Sequence, residues 1–389
     1  MPYINDRIVH DADAHVFEAP GWLDPWVDPD DRERLQPFLQ PSNGQVHEIV
    51  AKARRAYEDP AYDGRSEDEI TLRKGFTALG AFVKAERPRA LDYLGVASQL
   101  VFTTAGLRPL TASDRGGDAG LAGAVARAHN HAMMDFCSVD PRLLPALYVP
   151  LNDIEQAVRI AAEAIDMGAA ALMLPSACPK GHAHSHVGFE PLWARAEATG
   201  IPVVFHVGGG TALNDDYKKN GLPPVKDFIG GDDNFTSVSY MAIPEAPMQT
   251  LATMIFDGVL ERHPRLKIGV IEMGAAWVPG WMRSMDSCAH AFGRNEQRLQ
   301  ALSLSPSEYV RRQIRVTPYP HEPAGWIIRN SGAEVCLFSS DYPHVEGGRA
   351  PLKRFDASLD AENCTPEERE RFYRWNFEDL MGSALGKPR

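Results

Sequence analysis

The chain has 389 residues, 44% of them hydrophobic and 24% charged, with a formal net charge of −12. That length is ample for a large core, the apolar share is ordinary for a globular protein, and the acidic balance excludes nucleic acid or an anionic membrane as a natural main partner. A small molecule with a local site of either sign remains open. The cysteines, Cys137, Cys178, Cys288, Cys336 and Cys364, are widely spaced and odd in number, so no disulfide framework is expected. The first residues lack the apolar core of a signal peptide and no apolar run reaches spanning length. The expectation is a cytoplasmic protein without a membrane partner.

The first element is a strand over Ile8–Phe17. Side chains on a strand alternate, so Asp11, Asp13 and His15 share one face. Two carboxylates and an imidazole on a buried face cost several kcal/mol if unpaired. A divalent metal is the usual remedy, because carboxylate oxygen and neutral imidazole nitrogen are standard ligands of zinc, iron and manganese. The plainer alternative is an edge strand with a solvated face. Residues 18–95 are polar and rich in charge and Pro, with a helical stretch over Ser66–Ala85. They read as an insertion between the first two strands, within one domain spanning 1–389.

Strand and helix patterns then alternate. Ser98–Thr103 and Leu143–Val149 read as strands. Ile154, Ala157, Val158, Ala161 and Ile165 form an apolar stripe at helical spacing, with Asn152 and Glu155 as a capping box and Gly168 as the stop. Ala169–Leu174, Pro202–His206, Lys267–Glu272, Ile314–Thr317 and Val335–Ser340 complete eight candidate strands, and a helix over Pro191–Thr199 ends at Gly200. Eight βα units predict an α/β fold of the (β/α)8 TIM-barrel type. A doubly wound sheet is the alternative, but no phosphate-binding glycine motif follows a strand, and Gly208–Gly210 lacks the pattern. The connection from Gly208 to Leu266 reads as a long loop whose Tyr217, Phe228, Phe235, Tyr240 and Met241 suit a bulky apolar substrate.

Sites on such barrels lie at the C-terminal strand ends. There the sequence places Asp13 and His15, then His206 after Val-Val-Phe, Glu272 after Ile-Gly-Val-Ile, and Asp341 after Leu-Phe-Ser-Ser, with His344 close behind. Each has an ordinary explanation singly: a bonded core histidine, a helix cap, a turn. Together they point to a metal site. His321 after the seventh strand, Trp277 after the sixth, and Tyr240 are candidate substrate contacts; core packing explains Trp277 and Trp281 as well. His182, His184 and His186 read as a solvated loop, and His129, His131 and His290 as structural.

These features resemble the amidohydrolase superfamily, in the branch that contains aminocarboxymuconate-semialdehyde decarboxylase and resorcylate decarboxylases. The landmarks are Asp11–His15, Phe189–Ala194 leading to His206, Arg262–Lys267, and Ser340–Pro343. The resemblance implies a distorted TIM barrel with one or two divalent metals at its mouth, the ligands Asp13, His15, His206 and Asp341, and a homodimer. In the characterised decarboxylases the sixth strand ends in a His; here Glu272 stands there. A carboxylate beside a dication stays ionised, so Glu272 suits a ligand better than a proton donor. Asp13, Glu272 and Asp341 with His15, His206 and His344 suit two ions and resemble a non-haem diiron site. The leading expectation is therefore a monooxygenase with two Fe(II) ions that uses O2 to hydroxylate a bulky apolar small molecule, with Glu272 and Asp341 catalytic; zinc or manganese would also fit. The alternative is a metal-dependent hydrolase or non-oxidative decarboxylase of a carboxylate-bearing substrate, with Glu272 or Asp341 as general base.

Overall fold

Apolar runs ending in polar residues become parallel strands. The computed structural model describes residues 1–39, 44–59, 69–209, 213–223 and 236–386. Its strands are β1 (His10–Val16), β2 (Ser98–Thr103), β3 (Leu143–Tyr148), β4 (Ala171–Leu174), β5 (Val203–His206), β6 (Ile268–Ile271) and β7 (Ile314–Val316). They pair in sequence order, all parallel. Every strand residue is buried, as a parallel sheet covered on both faces demands.

The eighth expected strand pairs only through isolated bridges, Val316 to Cys336 and Ala14 to Tyr342. It nevertheless spans the gap between β7 and β1. Leu337 N donates to Val316 O at 3.0 Å on one side, and on the other Ala12 N donates to Phe338 O at 3.1 Å and His15 N to Tyr342 O at 2.7 Å. The left-handed backbone of Asp341, φ 53°, interrupts the extended run. The result is the distorted (β/α)8 barrel that the sequence predicts.

β1 departs from strict alternation. Asp11 pairs with Gln99 but Ala14 already pairs with Val101, so β1 carries one extra residue, a bulge. Asp11 does not join Asp13 and His15 in a common cluster. Its Oδ1 accepts from Ser340 N at 2.8 Å, and its Oδ2 from Ser340 Oγ at 2.6 Å and Gln99 Nε2 at 2.9 Å. Burial still pushes its carboxyl up to about 6 against those hydrogen bonds.

The helix after β3 spans Ile154–Met167; Asp153, not Asn152, caps it by accepting from Gln156 N, and Gly168 stops it at φ 104°. The insertion holds helices at Arg32–Leu39, Gly44–Glu58 and Arg87–Leu94. The helix expected over Ser66–Ala85 is not one: residues 66–68 lie outside the described residues, and the rest contains only short 3-10 turns at Gly75–Thr77 and Lys84–Glu86. Gly75 and Gly80, at φ 58° and 66°, break any helical run. The insertion is tied to the closing segment, with Tyr342 OH donating to Leu79 O at 2.6 Å and Gly75 N to Pro343 O at 2.9 Å. Among the described residues, the expected loop after β5 carries helices instead, at Ser237–Ala242, Glu245–Phe256 and Val259–Arg262. There Tyr217 and Met241 are exposed, and Phe228 and Phe235 lie outside the described residues. No helix among the described residues is long and apolar enough to cross a membrane.

Arg87 pins the insertion beneath β1. Fully buried, it donates from Nη1 to His15 O at 3.0 Å and from Nη2 to Gln99 Oε1 at 2.9 Å, and its guanidinium lies over the Tyr342 ring. Arg87→Ala leaves those acceptors without a charged donor and is expected to cost about 3 kcal/mol or more. An unfolding free energy from urea titration within about 1 kcal/mol of wild type would refute this.

Candidate metal centre

β1 brings Asp13 and His15 to the barrel mouth, β5 brings His206, and Glu272 and Asp341 follow β6 and the closing segment. His15 Nε2 lies 3.2 Å from Asp13 Oδ1, 3.5 Å from Asp341 Oδ1 and 3.7 Å from Glu272 Oε2. His206 Nε2 lies 3.4 Å from Asp13 Oδ1 and 3.3 Å from Glu272 Oε2. Yet Asp13 Oδ1, both imidazole Nε2 atoms and both Asp341 oxygens are buried without a hydrogen-bond partner. Groups this close that do not align as hydrogen bonds face a shared point rather than one another. Each unsatisfied buried polar atom costs about 1–3 kcal/mol, more when charged, and a cation between Asp13, His15, His206 and Glu272 would satisfy those of the first three.

The second ring nitrogens support this. His15 Nδ1 meets Thr103 O at 3.1 Å and His206 Nδ1 meets Val207 O at 3.0 Å. A carbonyl can only accept, so each Nδ1 carries a proton and each Nε2 is left to present a lone pair in the neutral ring. The donor set of carboxylate oxygen and imidazole nitrogen fits a divalent ion such as manganese, zinc or iron.

Glu272 and Asp341 both adopt left-handed backbone, at φ 55° and 53°. Such strain in non-glycine residues persists only where the surroundings impose it. Here Glu272 N donates to Thr317 Oγ1 at 2.9 Å and Tyr319 OH to Glu272 O at 2.7 Å, while Asp341 N donates to Asp13 O at 3.0 Å. Burial pushes the Asp341 carboxyl well above the usual range, and the charges of Glu272 and Asp13 add to the effect. Burial opposes charge on Asp13 too, but the facing His15 and His206 rings hold its carboxyl low. Burial likewise opposes charge on His15, and the carboxylates of Asp13 and Glu272 outweigh it, raising the imidazole well above its ordinary value.

His344 stands at the edge of this cluster. Its ring lies edge-on to His15 at 4.2 Å between centroids, and its Nε2 meets Thr104 Oγ1 at 3.0 Å. It groups with His15 and Asp341, whereas Asp13, His15, His206 and Glu272 form the other group. His15 belongs to both and has one free lone pair, so it cannot serve two separate ions.

The three expected substrate contacts are engaged by neighbouring groups. Trp277 Nε1 donates to Gly274 O at 2.9 Å, and its ring packs on Trp281. His321 Nε2 meets Tyr240 OH at 3.2 Å, and both rings pack on Tyr319. Tyr319 is the member of that aromatic group that touches a candidate ligand, and the sequence reading missed it. The loop His182, His184, His186 is not simply solvated: His184 is buried, bonds Pro175 O at 2.8 Å, and is pushed down to about 4 by burial. His129 is buried, and its Nδ1 meets Asn130 Oδ1 at 3.1 Å.

The chain matches the amidohydrolase family model over residues 76–380, a span that leaves out Asp13 and His15. No curated protein matches. Among solved structures, an amidohydrolase from Mycobacterium avium subsp. paratuberculosis is 21% identical, with a TM-score of 0.70, covering 97% of this chain and 100% of that one. A 5-carboxyvanillate decarboxylase from Novosphingobium aromaticivorans, complexed with manganese and a nitrobenzoic acid, is 17% identical over 97% of this chain and 96% of that one, TM-score 0.62. A dihydroxybenzoic acid decarboxylase from a Polaromonas species, with manganese and 2-nitroresorcinol, is 16% identical over 99% and 100%, TM-score 0.58. At such identities these likenesses speak for the fold. They also overturn the diiron monooxygenase expectation: the neighbours whose activity is named are decarboxylases. The barrel, the polar strand ends and the family match agree: this chain belongs to the amidohydrolase family.

Proposed function

We propose that this protein is a metal-dependent, non-oxidative decarboxylase of small carboxylated aromatic compounds, using one divalent ion of the manganese type. The observation that carries the reading is the convergence of Asp13, His15, His206 and Glu272, with buried unpartnered donor atoms on the first three and Asp341 facing His15 beside them. Bound there, the ion would supply positive charge that orients and polarises a substrate oxygen. The rest of the chemistry belongs to side chains: burial and the neighbouring charges of Glu272 and Asp13 favour the protonated form of the Asp341 carboxyl, which makes it the proton carrier. As the bond from ring carbon to carboxylate breaks, its electron pair stays on the ring carbon, and that carbon takes the Asp341 proton while CO2 leaves. Glu272 serves as a ligand, and His344 at the rim contacts substrate.

A second reading, hydrolysis, is favoured by Glu272 itself, a carboxylate placed where it can take a proton from water. The test is anaerobic incubation with manganese and a panel of hydroxybenzoates and of aryl esters and amides. The expected result is CO2 released in step with substrate loss, stopped by a chelator. Cleavage of esters or amides with no CO2 from any benzoate would replace the decarboxylase with the hydrolase.

A further inference from the structure

The connection after β2, Thr103 to Gly106, offers no candidate ligand, yet two imidazoles rest on it. Thr103 O meets His15 Nδ1 at 3.1 Å, and Thr104 Oγ1 meets His344 Nε2 at 3.0 Å. One carboxylate shapes that connection. Glu18 Oε1 accepts from Thr103 Oγ1, from Thr104 N at 3.0 Å and from Gly106 N at 3.3 Å, and Oε2 accepts from Ala105 N at 2.8 Å. Four consecutive residues thus donate to a single side chain. Gly106 fits the same design. Its φ of −64° suits any residue, but a Cβ there would collide with Thr103 Oγ1 and lie 3.1 Å from Glu18 Oε1.

We propose that Glu18 is a positioning residue for the metal centre, acting through the Thr103–Gly106 connection on His15 and His344; this rests on the metal-centre reading above. A carboxylate holding backbone N–H groups makes charge-assisted bonds, stronger than neutral ones. It therefore fixes the direction of the Thr103 carbonyl, and with it the tautomer and ring plane of His15. Partners behind the ligands typically govern metal affinity in this way. Glu18 touches no reacting atom in this scheme.

The test titrates metal-free wild type, Glu18→Gln and Gly106→Ala with Co(II), reading affinity and the visible d–d absorption, which reports ligand geometry. Both variants are expected to bind about 10- to 100-fold more weakly with a shifted absorption band, while near-UV circular dichroism stays that of a folded chain. Should Glu18→Gln fail to fold, Gly106→Ala decides, because it keeps every hydrogen-bonding group and only crowds the connection. Folded variants with wild-type affinity and band overturn the proposal alone. A wild type that binds no Co(II) overturns the metal centre and this proposal with it.

Discussion

Asp341→Asn is expected to lower kcat by about 10²- to 10⁴-fold, the usual worth of a positioned acid or base, while keeping bound metal near the wild-type level. The amide retains one oxygen for coordination, and the change adds no volume to a buried position. What it removes is the transferable proton. Both oxygens of Asp341 are buried and unpartnered, so no neighbouring hydrogen bond ties that proton down. Steady-state kinetics alongside metal analysis separate the two roles. Activity within tenfold of wild type would remove Asp341 from the chemistry; loss of metal with the activity would make it a ligand first.

Acid is expected to strip the metal, and the slope follows from His15. Its imidazole is raised well above its ordinary 6.5 by the carboxylates around it, so in the metal-free protein Nε2 carries a proton at neutral pH. A metal must displace that proton. Affinity therefore rises about tenfold per pH unit for each proton displaced, until the pH exceeds the raised value. Stability of the metal-free protein runs the other way. The His15 contribution is fully present below 6.5 and is lost as pH rises through the raised folded value. Asp13, held low, contributes above its ordinary 3.8 and is lost only in strong acid. Thermal melts with chelator should thus weaken toward alkaline pH, while melts with manganese strengthen. Parallel pH trends in the two series would contradict the shared position of proton and metal.

Much of the barrel and its mouth was legible because the strands are short apolar runs closed by a polar residue. His206 after Val-Val-Phe and Glu272 after Ile-Gly-Val-Ile announce themselves by that contrast. The bulge in β1 was not legible: period two groups Asp11 with Asp13, and one extra residue set by pairing with β2 breaks the grouping. Nor were the left-handed turns at Glu272 and Asp341, which come from tertiary hydrogen bonds and not from residue type. The helix Glu245–Phe256 hid in a connection taken for a loop, its start flanked by Pro244 and Pro247. Glu18 hid because a lone carboxylate at the head of a polar insertion looks solvated; its four donors lie about 85 to 88 positions away.

The barrel closes where its first and last elements meet, and that junction is thin. Between β1 and the closing segment it is a single bridge, a few backbone hydrogen bonds, including Asp341 N to Asp13 O, and the bonds from Ser340 to the Asp11 carboxylate. Asp13 and Asp341 stand on opposite sides of this junction, and both face His15 Nε2. An ion there would rivet the two ends of the chain together. Pulled by its termini, the loaded protein would then resist opening first at the seam where the empty one gives way.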